Sequence, residues 1–197
     1  VQEGKMIKLS QPQQMMAQER AIIDEAYAGD IIGIFDPGIF SIGDTVCDAT
    51  EKDLKFEGIP TFAPERFAMV EQIDSMKRKQ FAKGMNQIAQ EGAIQMFFEP
   101  DSGLERVTVG VVGELQFEVL EARMKSEYNV EFIRRPHAWQ YIRRIANEVD
   151  PKTLDLYETH LVEDVRGNKY LLFKSEWFIQ RTLEHNEGKL ELVEFGS

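Results

Sequence analysis

Lys77-Arg78-Lys79, with Lys83 four residues later, is the densest cationic group in the chain. Ammonium and guanidinium groups gathered this way can grip a phosphate backbone. The same residues can equally form a solvated face balanced by the nearby acids Glu71 and Asp74. Position strengthens the first reading, because cations at the start of a helix oppose its dipole and gain from an outside partner, although a solvated face is the commoner use of such a charge run. Arg134-Arg135 and Arg143-Arg144 are weaker basic pairs, of the kind that ends strands in salt bridges. Trp139, Tyr141 and Trp177 have rings that could stack on bases. Their apolar neighbours place them in the core instead.

Catalytic chemistry finds little support. Glu114, Glu118 and Glu121 lie along one helix, and paired carboxylates can move protons. Acids spaced in this way usually form a solvated face. His137, His160 and His185 fall in separate elements without metal-ligand spacing, so no metal site is expected. No G-x-x-x-x-G-K-[ST] loop occurs, and Asn168-Lys169-Tyr170 does not continue as a guanine-reading motif. We expect no catalytic residue and no cofactor within these 197 positions.

Composition narrows the class. An apolar fraction of 43% and a charged fraction of 29% fit a soluble globular protein with a sizeable core. A net charge of −11 argues against autonomous nucleic-acid binding, but it permits a local basic patch within a larger factor. Cys47 is the single cysteine, so no internal disulfide can form, which fits a reducing cytosol. No apolar run reaches the length of a membrane span and no secretory leader is visible. The chain begins at Val1 in strand-like sequence, which reads as a fragment of something longer.

The elements that must position these residues follow from periodicity. Residues 1–57 read as short strands: Lys5–Leu9, Ala21–Ile23 and Asp30–Phe35. Turn signals at Ala28-Gly29-Asp30, Asp36-Pro37-Gly38 and Ile42-Gly43-Asp44 separate them. There are too few to close a barrel, so a partial barrel with an open edge is expected. Residues 58–135 read β-α-β-β-α-β, a ferredoxin-like split βαβ arrangement. Its strands are Phe62–Val70, Ala93–Phe98, Arg106–Val112 and Val130–Arg134. Its helices run from Asp74 or Ser75 to Glu91 and from Glu114 to Tyr128.

The second of these helices has two apolar stripes, Phe117, Leu120, Met124 and Tyr128 against Leu115, Val119 and Ala122. One should face its own sheet and the other the last part of the chain. Residues 136–197 form a second small α+β lobe, expected to pack on the first. It comprises a strand over Trp139–Ile145, a short helix from Pro151 to Glu158 and a hairpin of His160–Glu163 with Lys169–Phe173. A helix over Glu176–Glu187 and a strand over Leu190–Phe195 complete it.

Several stretches resemble known translation factors. Ala26-Tyr27-Ala28-Gly29-Asp30-Ile31-Ile32-Gly33 and Ile42-Gly43-Asp44-Thr45 resemble the second, barrel domain of translational GTPases. Phe56 to Glu65, Gln90 to Gln95, Val111 to Val119 and Arg123 to Val130 resemble the third domain of class II peptide chain release factors (release factor three). Gln116 stands where chains like elongation factor G tend to carry histidine.

The resemblance implies a non-catalytic ribosome-docking and coupling portion of a translation-termination GTPase. Such factors promote release and recycling of class I release factors. The implied partners are the small-subunit RNA and proteins and, indirectly, class I release factors, with neither membrane nor DNA. The implied location is the cytoplasm. GTP or GDP with Mg would be held by a domain before Val1. The candidate ribosome contacts are Lys77, Arg78, Lys79, Lys83, Arg134, Arg135, Arg143 and Arg144. The competing readings are a small-molecule-sensing ferredoxin-like domain and a protein-interaction scaffold.

Overall fold

A computed structural model describes residues 13–16, 19–23, 25–34, 40, 42–48, 50–51, 54, 56, 61–100 and 106–196. The chain divides into two compact units, Val1–Ile59 and Pro60–Ser197. The expected strand Lys5–Leu9 and the turn Asp36-Pro37-Gly38 lie outside the described residues.

In the first unit, β1 (Gln13–Met16) pairs antiparallel with β2 (Glu19–Ile22) and β3 (Ile32–Gly33), in the order β2-β1-β3. The sheet is open among the described residues, with β2 and β3 at its edges. β1 was not expected, since Pro12 and a run of glutamines hide its pairing. β3 is shorter than the apolar run around it. At the Gly-Asp turn, Gly29 adopts φ 100° and the Asp30 carboxylate accepts from Tyr27 N at 2.8 Å. A side chain would be strained at that φ.

The second unit begins with β4 (Arg66–Gln72). The extended residues before it carry Pro64, whose ring lies over Gly110; a Cβ at Gly110 would come within 2.8 Å of it. Asp74 then caps a short 3-10 turn, Ser75–Lys77, accepting from Met76 N at 2.9 Å. That turn leads into α1 (Arg78–Gln90). Next come β5 (Gln95–Phe98), β6 (Arg106–Val111), α2 (Glu114–Tyr128) and β7 (Phe132–Pro136). β7 starts two residues later than expected. Asn129 turns left-handed at φ 53° and Val130 N caps back to Met124 O at 3.0 Å before the strand begins.

The rest comprises β8 (Tyr141–Ile145), β9 (His160–Asp164), β10 (Lys169–Phe173), α3 (Glu176–His185) and β11 (Leu192–Val193). The helix expected to Glu158 is only a 3-10 turn, Pro151–Thr153. Leu154 and Leu156 both pack into the core beneath α3, and a two-residue spacing requires extended chain. Asn186 holds that extension, accepting from Asp155 N at 2.8 Å and donating to Asp155 O at 3.1 Å.

All eight strands form one antiparallel sheet, ordered β11-β8-β10-β9-β5-β6-β4-β7. The segment β5-β6-β4-β7 has the strand order of the split βαβ arrangement. The later strands join it edge to edge through two residue pairs, Phe97↔Asp164 and Phe98↔Glu163. The sheet must curl. β7 and β8 stand six strand spacings apart, about 29 Å if flat. The linker of residues 137–140 between them can reach only about 18 Å.

The core occupies both faces of the curled sheet. α1 and α2 bury Phe81, Met85, Ile88, Phe117, Leu120 and Met124 on one face. The other face holds Phe67, Phe97, Ile142, Val162, Tyr170 and Leu172, drawn from both ends of the sheet. α3 covers a third cluster around Leu171 and Phe173.

Asp164 ties the hairpin turn at this junction. It accepts from Arg166 N at 2.8 Å, Asn168 N at 2.9 Å and the Tyr170 hydroxyl at 3.1 Å. Burial, reinforced by Asp164, pushes the Tyr170 hydroxyl up to about 12. Asp164→Ala removes the acceptor for these donors, two of them exposed to water, and is expected to cost about 0.5–1.5 kcal/mol. Urea unfolding of the variant against the parent measures it.

Candidate functional site

From Ser75 to Gln90 the chain carries Lys77, Arg78, Lys79 and Lys83 and no acid at all, within a protein of net charge −11. The fold turns these cations to different tasks. Lys77 is half-buried and its Nζ donates to Asn129 O at 2.6 Å, at the C-terminal end of α2 where a cation is favoured. Arg78 is exposed and also engaged within the chain. Lys79 and Lys83 are exposed and form no ion pair among the described residues. They stand one helical turn apart, so both ammonium groups rise from one ridge of α1. Asn86, Gln87 and Gln90 continue the exposed surface with neutral amides. Such a surface can bind oxyanions through cations spaced one turn apart, with amides supplying further hydrogen bonds.

The arginine pairs are largely tied down. Arg134 pairs with Glu114 and, at 3.2 Å, with Glu121, and its guanidinium lies 4.8 Å from the centre of the Phe117 ring. Arg135 reaches Glu71 at 3.4 Å, a carboxylate shared with Arg106. Arg143 pairs with Glu194 at 3.2 Å and donates to Ile142 O at 2.8 Å. Arg144 is engaged within the chain and lies opposite Tyr170 in the sheet. Six of the eight candidate cations are thus engaged within the chain, and Lys79 and Lys83 form no ion pair among the described residues.

Two of the three aromatic side chains sit as expected. Trp139 is half-buried and stacks on His160 at 5.6 Å and 5°, and Tyr141 packs against the core under α3. Trp177 does not: it is 62% exposed. Ile179, Thr182 and Asn186 are the buried positions along α3 and its end, and their spacing turns Trp177 outward.

The second stripe of α2 is a further correction. Leu115 is 71% and Val119 49% exposed, and Ala122 is exposed as well. The end of the chain joins the sheet edge rather than covering this helix, so the stripe stays open. A second apolar stripe was legible in the sequence, but its exposure was not.

His137 and His160 come together around the Trp139 ring, while His185 lies on α3. His137 is half-buried, and burial together with nearby His160 pushes its pKa down, partly offset by Glu99. His160 Nε2 is 3.2 Å from Glu99 Oε1, and His185 Nδ1 is 2.9 Å from Arg181 O. Among the described residues no three His, Cys, Asp or Glu side chains group as a metal site. A cleft of about 140 Å³ opens among Arg66, Phe117, Arg134, His137 and Trp139, with Glu114 on its wall.

The strand-to-helix corner before α2 does not fit a nucleotide phosphate. Its Val112 and Gly113 N–H groups are already taken by Gln116 Oε1, at 2.8 and 3.1 Å. The Glu114 carboxylate occupies the first turn. No helix among the described residues is long and apolar enough to cross a membrane.

Comparison with known families places this geometry. The model described as "Class II release factor RF3, C-terminal domain" matches residues 56–183, and "Elongation factor G domain 2" matches residues 1–49. Peptide chain release factor 3 of Symbiobacterium thermophilum is 48% identical over 189 residues, covering 95% of this chain and 35% of that protein. The protein of the same name from Gloeothece citriformis is 42% identical over 192 residues, covering 96% and 35%. That from Microcystis aeruginosa is 43% identical over 183 residues, covering 92% and 33%. The chain thus spans about a third of the length of the curated relatives it matches. On the match over residues 56–183 and these identities, the chain belongs to the class II release factor RF3 family.

Proposed function

We propose that this chain docks a translation-termination factor on the ribosome and couples the ribosome's state to a GTP-hydrolysing domain elsewhere in the polypeptide. One observation carries the reading: the paired, uncommitted ammonium groups of Lys79 and Lys83 on an acid-free helix of an otherwise acidic chain. A polyanion meets net repulsion from the whole chain and attraction at this ridge, so charge selects the docking face. The partner is the small-subunit RNA with its proteins, in the cytoplasm. GTP and Mg belong to the remainder of the protein, and no step of hydrolysis is assigned to these residues.

The work done here is differential binding. A docking surface that fits one ribosome state better than another shifts the equilibrium between them, and the nucleotide domain feels that shift. Release and recycling of class I release factors follow from the preferred state. The cleft of about 140 Å³ described above gives a small-molecule-sensing role no support, being small for a ligand site, such sites usually spanning about 300–1,000 Å³.

Lys79→Glu with Lys83→Glu in the full-length factor tests the docking face. Small-subunit affinity is expected to fall at least about tenfold, and factor-dependent release of class I factors to slow, with the unfolding midpoint unchanged. Unaltered binding and recycling in the double variant would remove the ridge from the interface.

A further inference from the structure

The helix layer beside the cationic ridge has the opposite character. α2 packs next to α1, where Gly84 meets Met124 and Tyr128. Yet the outward side of α2 presents Leu115, Val119 and Ala122, with Val112 exposed at the preceding corner. At about 100° per residue these α2 positions form a continuous stripe, extended by Ser126.

Acids border the stripe. Glu118 lies along one edge and makes no ion pair among the described residues. Glu114 and Glu121 lie beyond it and share the single cation Arg134. On the other edge Arg123 is flanked by Glu91 and Glu127, at 2.7 Å from the latter. Apolar side chains offer phosphate nothing to bind, and this excess of carboxylates repels it. The surface therefore rejects the polyanion that the neighbouring ridge attracts. What fits it is an apolar seam with cations along its margins.

We propose that the Leu115–Val119–Ala122 stripe of α2 docks a basic, amphipathic protein segment. On the docking reading above, on which this inference rests, that segment belongs to a ribosomal protein. The two adjacent helices then divide the contact, with α1 on RNA and α2 on protein. Leu115 and Val119 supply the buried apolar contact, and Glu118 supplies the charge that selects a basic partner.

The test uses the full-length factor in a background cleared of native cysteines, Cys47→Ser included. A benzophenone maleimide is attached at Val119→Cys on the stripe or at Asn86→Cys beside the lysine ridge. Each is photolysed on purified small ribosomal subunits. The expected adduct at residue 119 resists ribonuclease and joins a basic ribosomal protein, whereas that at residue 86 is destroyed by ribonuclease.

Leu115→Asp with Val119→Asp is expected to weaken subunit binding at least tenfold at an unchanged unfolding midpoint. Glu118→Lys should weaken it several-fold. An RNA adduct at residue 119, an adduct to the factor itself, or none there while residue 86 reacts would overturn the inference and leave the docking reading standing. Tighter binding by Glu118→Lys would overturn the basic character of the partner. No adduct at either position would end both readings.

Discussion

Phe97→Ala is expected to cost about 3–5 kcal/mol, the range for emptying a fully buried phenylalanine site. Phe97 sits on β5, the strand through which the two halves of the curled sheet are joined. Its ring is 1% exposed and lies 5.6 Å from Tyr170, 6.3 Å from Phe67 and 6.4 Å from Phe195. Those partners come from β10, β4 and the C-terminal segment, so one ring touches distant parts of the second unit. Only two backbone residue pairs join β5 to β9, so the side chains must hold the junction. Guanidinium unfolding followed by tryptophan fluorescence reads the effect, because Trp139 and Trp177 both lie on the later side of the junction. A loss below about 1 kcal/mol would mean that the junction does not depend on this cluster.

Gly84→Val is expected to be the next most damaging change, at about 1–3 kcal/mol or more for overpacking a close helix contact. Even one added carbon at Gly84 would approach Met124 Sδ to 2.6 Å and the Tyr128 ring to 2.9 Å. Gly84→Ala should lose less, since alanine recovers about 1 kcal/mol of helix propensity. Combining Gly84→Val with Met124→Ala should recover part of the loss, with a favourable coupling of about 0.5–3 kcal/mol. Urea unfolding of the four proteins in the cycle measures it. Strict additivity would show that α1 and α2 adjust without meeting at this glycine.

The second unit was largely legible as elements because its helices carry local signals. Asp74 as a cap, Gly92 at φ 76° and Asn129 in the left-handed region punctuate α1 and α2 where periodicity places them. Its assembly was less legible. Nothing local to His160–Asp164 says that its edge will pair with β5, so one continuous sheet could not be read from periodicity. The fate of the α2 stripe followed from that pairing, because the strands that might have covered Leu115 and Val119 are used at the sheet edge. Leu154 and Leu156 fit a helix or an extended chain, and long-range bonds from Asn186 decide between them.

The site shows the same division. Charge type and spacing named the cations of α1, while Lys77 was diverted to Asn129 and Arg134 to Glu114 and Glu121 by contacts remote in sequence. Lys79 and Lys83 remain available because their ridge faces away from both α2 and the sheet.

The salt dependence of small-subunit binding by the full-length factor tests docking through that ridge most directly. Two phosphate contacts contribute about 0.7–0.9 each to the slope of log affinity against log salt. Lys79→Glu with Lys83→Glu is therefore predicted to flatten the slope by about 1.4–1.8. A slope identical to that of the parent factor, with affinity unchanged at low salt, would contradict the account.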